Sequence, residues 1–176
     1  PLAIASCGNA ALAAALVARA AGRPLVVHVP IWADSWILGQ LEELGANVEV
    51  CERRNGESGD PCMLRFREAV ADGALAFGCQ GTENPWTIDG GRPLGFELAD
   101  QLSAQEVLLD RILIQVGGGA LASSTIQALT DATNFGVLER RPVLNAVQAE
   151  GCAPLARAFD LGAQFSVMRL RKASFA

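Results

Sequence analysis

Apolar residues along this chain keep two rhythms: short, nearly unbroken runs, and longer stretches with apolar positions three and four apart. Leu2 to Ala5, Leu25 to Val29, Val48 to Cys51, Ala74 to Phe77, Arg111 to Val116 and Val143 to Val147 read as strands. Between them the spacing predicts helices at Asn9 to Ala21, Ser35 to Leu44, Met63 to Ala71, Leu94 to Leu102, Leu121 to about Thr133 and Cys152 to Asp160. Ile37, Leu38, Leu41 and Leu44 carry the helical period of the second helix, Gly22 and Gly45 are stop signals, and Pro61 suits a first helical position. Strand–helix alternation of this kind implies an α/β fold of open parallel sheets with helices on both faces.

The polar stretch Gln80 to Gly91, with its Gly and Pro residues, is the best candidate boundary. It divides the chain into a first α/β lobe at 1–80, a connecting segment at 81–93, part of a second α/β lobe at 94–163, and a tail at 164–176 that fits neither period.

Hydrophobic residues make up 51% of the 176 and charged ones 19%, a balance that fits a folded domain and excludes disorder. The net charge of -5 and the scattered basic residues argue against nucleic acid as a partner. No apolar run approaches the roughly 20 residues of a membrane span, and Ala10 to Ala21 follows a polar turn, so it reads as a buried helix. Five irregularly spaced cysteines with no C-x-x-C pair read as reduced thiols of a cytoplasmic protein. His28 is the one histidine, which leaves little for zinc or Ser-His-Asp chemistry; mid-strand, it reads as a packed or sheet-edge residue. Trp32 and Trp36, at helical spacing, read as packing anchors.

Two turns carry the candidate chemistry. Gly117-Gly118-Gly119-Ala120-Leu121 follows a strand and opens a helix, so its backbone N–H groups are free to wrap an anion that the helix dipole also favours. The alternative is that three glycines merely permit close packing there. It is not a dinucleotide fingerprint, because the G-x-G-x-x-G spacing is absent. Ser6-Cys7-Gly8-Asn9 has the same strand-to-helix topology. Ser6 and the adjacent N–H groups suit a carboxylate and the Asn9 amide suits an aromatic ring hydroxyl, or Asn9 simply caps the helix.

The two turns in this order, together with Glu83-Asn84-Pro85-Trp86, Gly95-Phe96-Glu97-Leu98 and Val147-Gln148-Ala149-Glu150-Gly151-Cys152-Ala153-Pro154, resemble the tryptophan-synthase-β-like family of pyridoxal-phosphate enzymes. Within it the likeness is to threonine synthases and threonine-synthase-like lyases, and it runs from about Leu2 to Leu161. The resemblance implies a pyridoxal 5'-phosphate cofactor in a groove between the two lobes. Asn9 would meet its ring hydroxyl, and Gly117, Gly118, Gly119, Ala120 and Leu121 its phosphate. Ser6, Cys7 and Gly8 would hold the α-carboxylate of a small amino-acid substrate, hydroxylated or phosphorylated, in a replacement or elimination.

The departures are equally specific. The family's Schiff-base lysine precedes the Ser-x-Gly-Asn turn, whereas Lys172 is the only lysine here and falls in the basic tail with Arg169 and Arg171. The usual threonine before the Gly95 helix is Pro93. The expectation is therefore a central fragment, inactive alone and self-associating, with no catalytic residue of its own. The alternative is a non-catalytic relative that binds an anion or a partner.

Overall fold

The structure, a computed structural model, describes residues 1–161 of the chain; the predicted tail, with Arg169, Arg171 and Lys172, lies outside the described residues. Two compact units follow one another, Pro1–Asn84 and from Pro85 onward. The first unit runs β1 (Leu2–Ala5), α1 (Asn9–Ala20), β2 (Leu25–Pro30), α2 (Ser35–Glu43), β3 (Asn47–Cys51), α3 (Pro61–Ala71) and β4 (Leu75–Ala76). Its four strands form one parallel sheet in the order β3-β2-β1-β4.

The two-residue period of the strands divides their side chains between two helical layers. Leu2, Ile4, Leu25, Val27 and Val29 point to the side of α1 and α2, where Ala11, Ala14, Ala15, Ala18 and Leu41 meet them. The buried face of α1 is all alanine, so its backbone lies close to the sheet. Ala3 faces the other way, onto Phe66 of α3 and Ala74. Leu41 and Phe66 are buried to within 1% of their surface, each a contribution of about 2–3 kcal/mol from burial alone.

Local chemistry sets the helix ends. Asp34 accepts from the N–H of Trp36 at 2.9 Å and of Ile37 at 3.3 Å, capping α2, which stops where Gly45 takes φ +82°. Asp60 caps α3 through the Cys62 N–H at 2.9 Å, with Pro61 in the first turn as its fixed φ favours. Trp32 and Trp36 do not anchor packing: both are exposed, Trp32 in the turn between β2 and α2, and Trp36 on α2 away from its apolar residues Ile37, Leu38 and Leu41. β4 is only two residues long, since only Leu2 and Ala3 pair with it.

The second unit contains α4 (Trp86–Gly90), α5 (Arg92–Ala104), β5 (Arg111–Gln115), α6 (Ala120–Asn134), β6 (Val143–Val147), a 3-10 turn at Glu150–Cys152 and α7 (Pro154–Asp160). β5 and β6 pair in parallel, Ile112 opposite Leu144 and Ile114 opposite Ala146. These four side chains pack with Ala122 and Ile126 of α6 and Leu155 of α7, while Leu113 and Val143 on the opposite face are exposed. A second cluster joins Ala99 of α5 to Leu129 and Ala132 of α6.

Two features of this unit depart from the sequence expectation. The polar stretch before α5 holds the five-residue α4, and α7 starts at Pro154 rather than Cys152, because the residue before a proline is disfavoured in helical conformation and Ala153 takes φ -121°, ψ 60°. α5 and α6 approach very closely: a Cβ placed on Gly91 would fall 2.6 Å from Ser124 Oγ, and one on Gly95 2.6 Å from the Ala128 Cβ.

Candidate functional site

The end of β5 builds the first element of the site. The Val116 N–H is bonded to the Val147 carbonyl at 2.8 Å, and from there the chain leaves the sheet. Gly119 occupies the left-handed region at φ +87°, ψ -6°, a conformation that glycine adopts without steric cost. Among the described residues, the N–H groups of Gly117, Gly118, Gly119, Ala120 and Leu121 make no hydrogen bond, no side chain caps α6, and its first turn has no acidic residue. Nothing lies within 4 Å of a Cβ built on Gly117 or Gly119, so close packing is not what these glycines serve. Five vacant donors at the positive end of a 15-residue helix form a cradle for an anion.

The end of β1 builds the second. The Ser6 N–H is bonded to the His28 carbonyl at 3.2 Å, which leaves Ser6 its hydroxyl for a ligand. The N–H groups of Cys7, Gly8, Asn9 and Ala10 make no hydrogen bond among the described residues. Gly8, not Asn9, is the N-cap of α1, and no side chain caps that helix. The capping role for Asn9 is thus set aside: its position is one residue too far into the helix, and its side chain is exposed with no partner among the described residues.

The contrast with neighbouring helices sharpens the assignment. Asp34 and Asp60 fill the N-termini of α2 and α3, and α4, α5 and α7 have a proline at or beside their first residue. Only α1 and α6, among the described helices, begin on a glycine turn with neither device.

The turn after β1 also borders a cavity of about 590 Å³ at the carboxyl ends of β1, β2 and β3. Ser6 and Cys7 line it, with Pro30 at the end of β2 and Ile31 and Trp32 after it, Cys51 at the end of β3 and Glu52 after it, and Asp60, Pro61 and Cys62 at the start of α3. Burial pushes the Cys51 thiol up and the Cys62 thiol up to about 12, so both are neutral, unreactive walls near neutral pH.

His28 also lines this cavity, from the interior strand β2, and is 2% exposed; it is a packed histidine and not an edge residue. Its Nδ1 lies 3.3 Å from the Glu49 carboxylate and 3.9 Å from Cys51 Sγ, and its Nε2 has no partner among the described residues. Burial lowers its pKa, against the pull of Glu49 and with the push of Arg65, so the ring is neutral near pH 7. A depressed folded-state pKa means that the unfolded chain takes up this proton first. Its contribution is whole above pH 6.5 and is lost as pH falls from there through the lower folded value. Urea unfolding of the first unit is therefore expected to weaken between pH 7.5 and about 5.5 in the parent and less so in His28→Gln. Glu49, Glu68 and Arg65 face the same ring and are common to both proteins, so equal slopes would contradict this assignment.

One residue that sequence reasoning left without a role supports the glycine cradle. Gln148 donates to the Val116 carbonyl at 3.1 Å and accepts from the Leu155 N–H at 2.9 Å. It thereby ties the residue before Gly117 to the start of α7. Its place in the Val147–Pro154 stretch that carries the family resemblance is the sequence signal for it. Gln148→Ala is expected to free Val116 and weaken inorganic phosphate binding by roughly threefold to tenfold, the worth of about one hydrogen bond; unchanged affinity in a calorimetric titration would remove Gln148 from this role.

The chain matches the pyridoxal-phosphate dependent enzyme family over residues 1–172. It is 28% identical over 163 residues to a threonine synthase of Methanosarcina acetivorans, an alignment that covers 92% of this chain and 38% of that protein. Among solved structures it is similar to Escherichia coli diaminopropionate ammonia lyase, with TM-score 0.74, 21% identity, and coverage of 94% of this chain and 42% of the other. It is likewise similar to maize serine racemase, with TM-score 0.70, 20% identity, and coverage of 92% and 44%. These structural likenesses speak to the fold, and the chain spans less than half the length of each of these relatives. No described helix is long and apolar enough to cross a membrane. With a parallel α/β fold and a family match along nearly its whole length, the chain belongs to the pyridoxal-phosphate dependent enzymes.

Proposed function

We propose that this chain supplies the cofactor- and substrate-holding turns of a threonine-synthase-like lyase or synthase acting on a hydroxylated or phosphorylated amino acid. The observation that carries the reading is the run of vacant N–H groups from Gly117 to Leu121 at an uncapped helix start. This cradle fits a phosphate: it offers several donors, an open approach and no competing carboxylate in the first turn. Gly117, Gly118, Gly119, Ala120 and Leu121 hold the cofactor phosphate in this reading, and the exposed Asn9 amide donates to its ring hydroxyl. The Ser6 hydroxyl and the N–H groups of Cys7 and Gly8 hold the substrate α-carboxylate. Pyridoxal phosphate, when bound, supplies an electron sink for charge developing on the substrate α-carbon. The chain's own task is to orient the groups around that carbon, which shortens the path to reaction by fixing their geometry.

These 176 residues hold one lysine, Lys172, and none before the Ser6–Asn9 turn, where the resemblance puts the family's covalent anchor. The reading therefore expects reversible binding of pyridoxal phosphate and no turnover by these 176 residues alone. Intact mass after incubation with the cofactor and borohydride, with an ammonia- and phosphate-release assay alongside, tests both. An unmodified mass with measurable reversible binding is the expected result. A reduced adduct on Lys172 with turnover would reverse the second expectation, and absence of any binding would reverse the first.

A further inference from the structure

The cavity bordered by Ser6 and Cys7 says what kind of side chain the carboxylate-binding turn can serve. Its walls are carbon and sulfur: Ala5, Cys7, Pro30, Ile31, Cys51, Pro61 and Cys62. Its charged groups do not form a site for a dianion. Asp60 and Glu52 border it, Glu49 lies beside His28, and these carboxylates outnumber the one arginine in its lining, Arg53, which donates one N–H to the Glu57 carbonyl at 3.1 Å. The floor is the neutral His28 ring, whose Nε2 has no partner among the described residues. Ile31 and Trp32 flank the opening at 69% and 75% exposure, apolar surface that an apolar occupant would cover.

We propose that this cavity receives the uncharged side chain of an amino acid whose α-carboxylate sits on the Ser6–Gly8 turn, so that this chain selects neutral over phosphorylated substrates. The inference rests on the proposed use of that turn, and it narrows the substrate from hydroxylated or phosphorylated amino acids to neutral ones. A phosphoryl group in this cavity would exchange its hydration for thiols, proline carbons and the carboxylates of Asp60 and Glu52, which outnumber the single Arg53 cation.

Because His28 is the only histidine, a nitrogen-15 spectrum of the imidazole-labelled full chain reports on the cavity floor alone. L-norvaline, L-homoserine and O-phospho-L-homoserine serve as probes, each titrated with and without pyridoxal phosphate. Norvaline and homoserine are expected to shift the His28 resonances in a saturable way. The phosphorylated probe is expected to bind at least roughly tenfold more weakly, a difference of about 1.4 kcal/mol. Trp32→Phe, on the exposed rim, is expected to weaken norvaline binding while leaving the His28 spectrum of the free protein unchanged. A phosphorylated probe that binds as well as or better than norvaline would overturn the inference, and so would the absence of any His28 shift. Separate readouts distinguish the two readings: His28 shifts without cofactor binding would defeat the lyase reading and leave the cavity assignment. Cofactor binding without His28 shifts would do the reverse.

Discussion

Gly95→Val is expected to destabilise the second unit by roughly 3 kcal/mol, the upper part of the range for overpacking. Gly95 is buried on α5 against α6, and an added Cβ would lie 2.6 Å from the Ala128 Cβ and 3.0 Å from the Thr125 carbonyl oxygen. A backbone oxygen and a β-carbon cannot rotate away, so the two helices must separate. Separation uncovers Ala99, Leu129 and Ala132, which form one cluster across this crossing. It also disturbs Arg92, which is bonded to Asp131 of α6 and stacks 5.2 Å from the Phe96 ring centroid. Against typical domain stabilities of about 5–15 kcal/mol, that loss is large.

The alanine variant decides whether crowding is the cause. In an unobstructed helix, Gly→Ala stabilises by about 0.5–1 kcal/mol, and Gly39 of α2 is such a site, with nothing within 4 Å of its added Cβ. Gly39→Ala is expected to raise stability and Gly95→Ala to lower it. Trp86 lies in the second unit and Trp32 and Trp36 in the first, so fluorescence in Trp→Phe backgrounds reads the units separately. If Gly95→Ala stabilised as Gly39→Ala does, the close crossing of α5 and α6 would be wrong. The consequence reaches the site, because α6 carries the glycine cradle at its N-terminus.

Much of this architecture is legible in the sequence because its signals are local. The strand β6 at Val143–Val147 and the starts of α1 and α2 fall where periodicity and turn residues put them. The parallel α/β fold follows from alternation alone, and the pairing of β1 with β2 needs only the helix between them. What is not legible depends on contacts between distant residues. Gly91 looks like a loop residue and Gly95 like a weak point of a helix until Ser124, Thr125 and Ala128 are seen against them. Gln148 looks like a loop residue until its amide is found on the Val116 carbonyl. Trp32 and Trp36 have a helical spacing, yet α2 begins at Ser35, so Trp32 stands outside the helix and Trp36 on its exposed side. The site divides in the same way. The glycine turns announce vacant donors by composition, whereas the neutral state of His28 arises from its burial, with the push of Arg65 and against the pull of Glu49, none of which the run of sequence around it contains.

Gly119→Val is expected to weaken pyridoxal phosphate binding by at least roughly tenfold while the second unit still folds. Two costs act on different quantities. A β-branched residue at φ +87° loses about 1–2 kcal/mol to backbone strain, which lowers stability. Space is not the obstacle, since nothing lies within 4 Å of the added Cβ, so the fold can absorb that loss. The ligand cannot. To relieve the strain, the backbone turns away from the left-handed region and redirects the N–H groups of Gly119 and Ala120, two of the five vacant donors there. Each hydrogen bond to a charged acceptor is worth about 1.5–3 kcal/mol, so losing even one supports the tenfold estimate. Pyridoxal, which lacks the phosphate, provides the control: its affinity is expected to be the same in parent and variant. Equal losses for pyridoxal and pyridoxal phosphate would mean that Gly119 shapes the protein and not the phosphate cradle. Equal affinity of parent and variant for pyridoxal phosphate would place the phosphate elsewhere in the molecule.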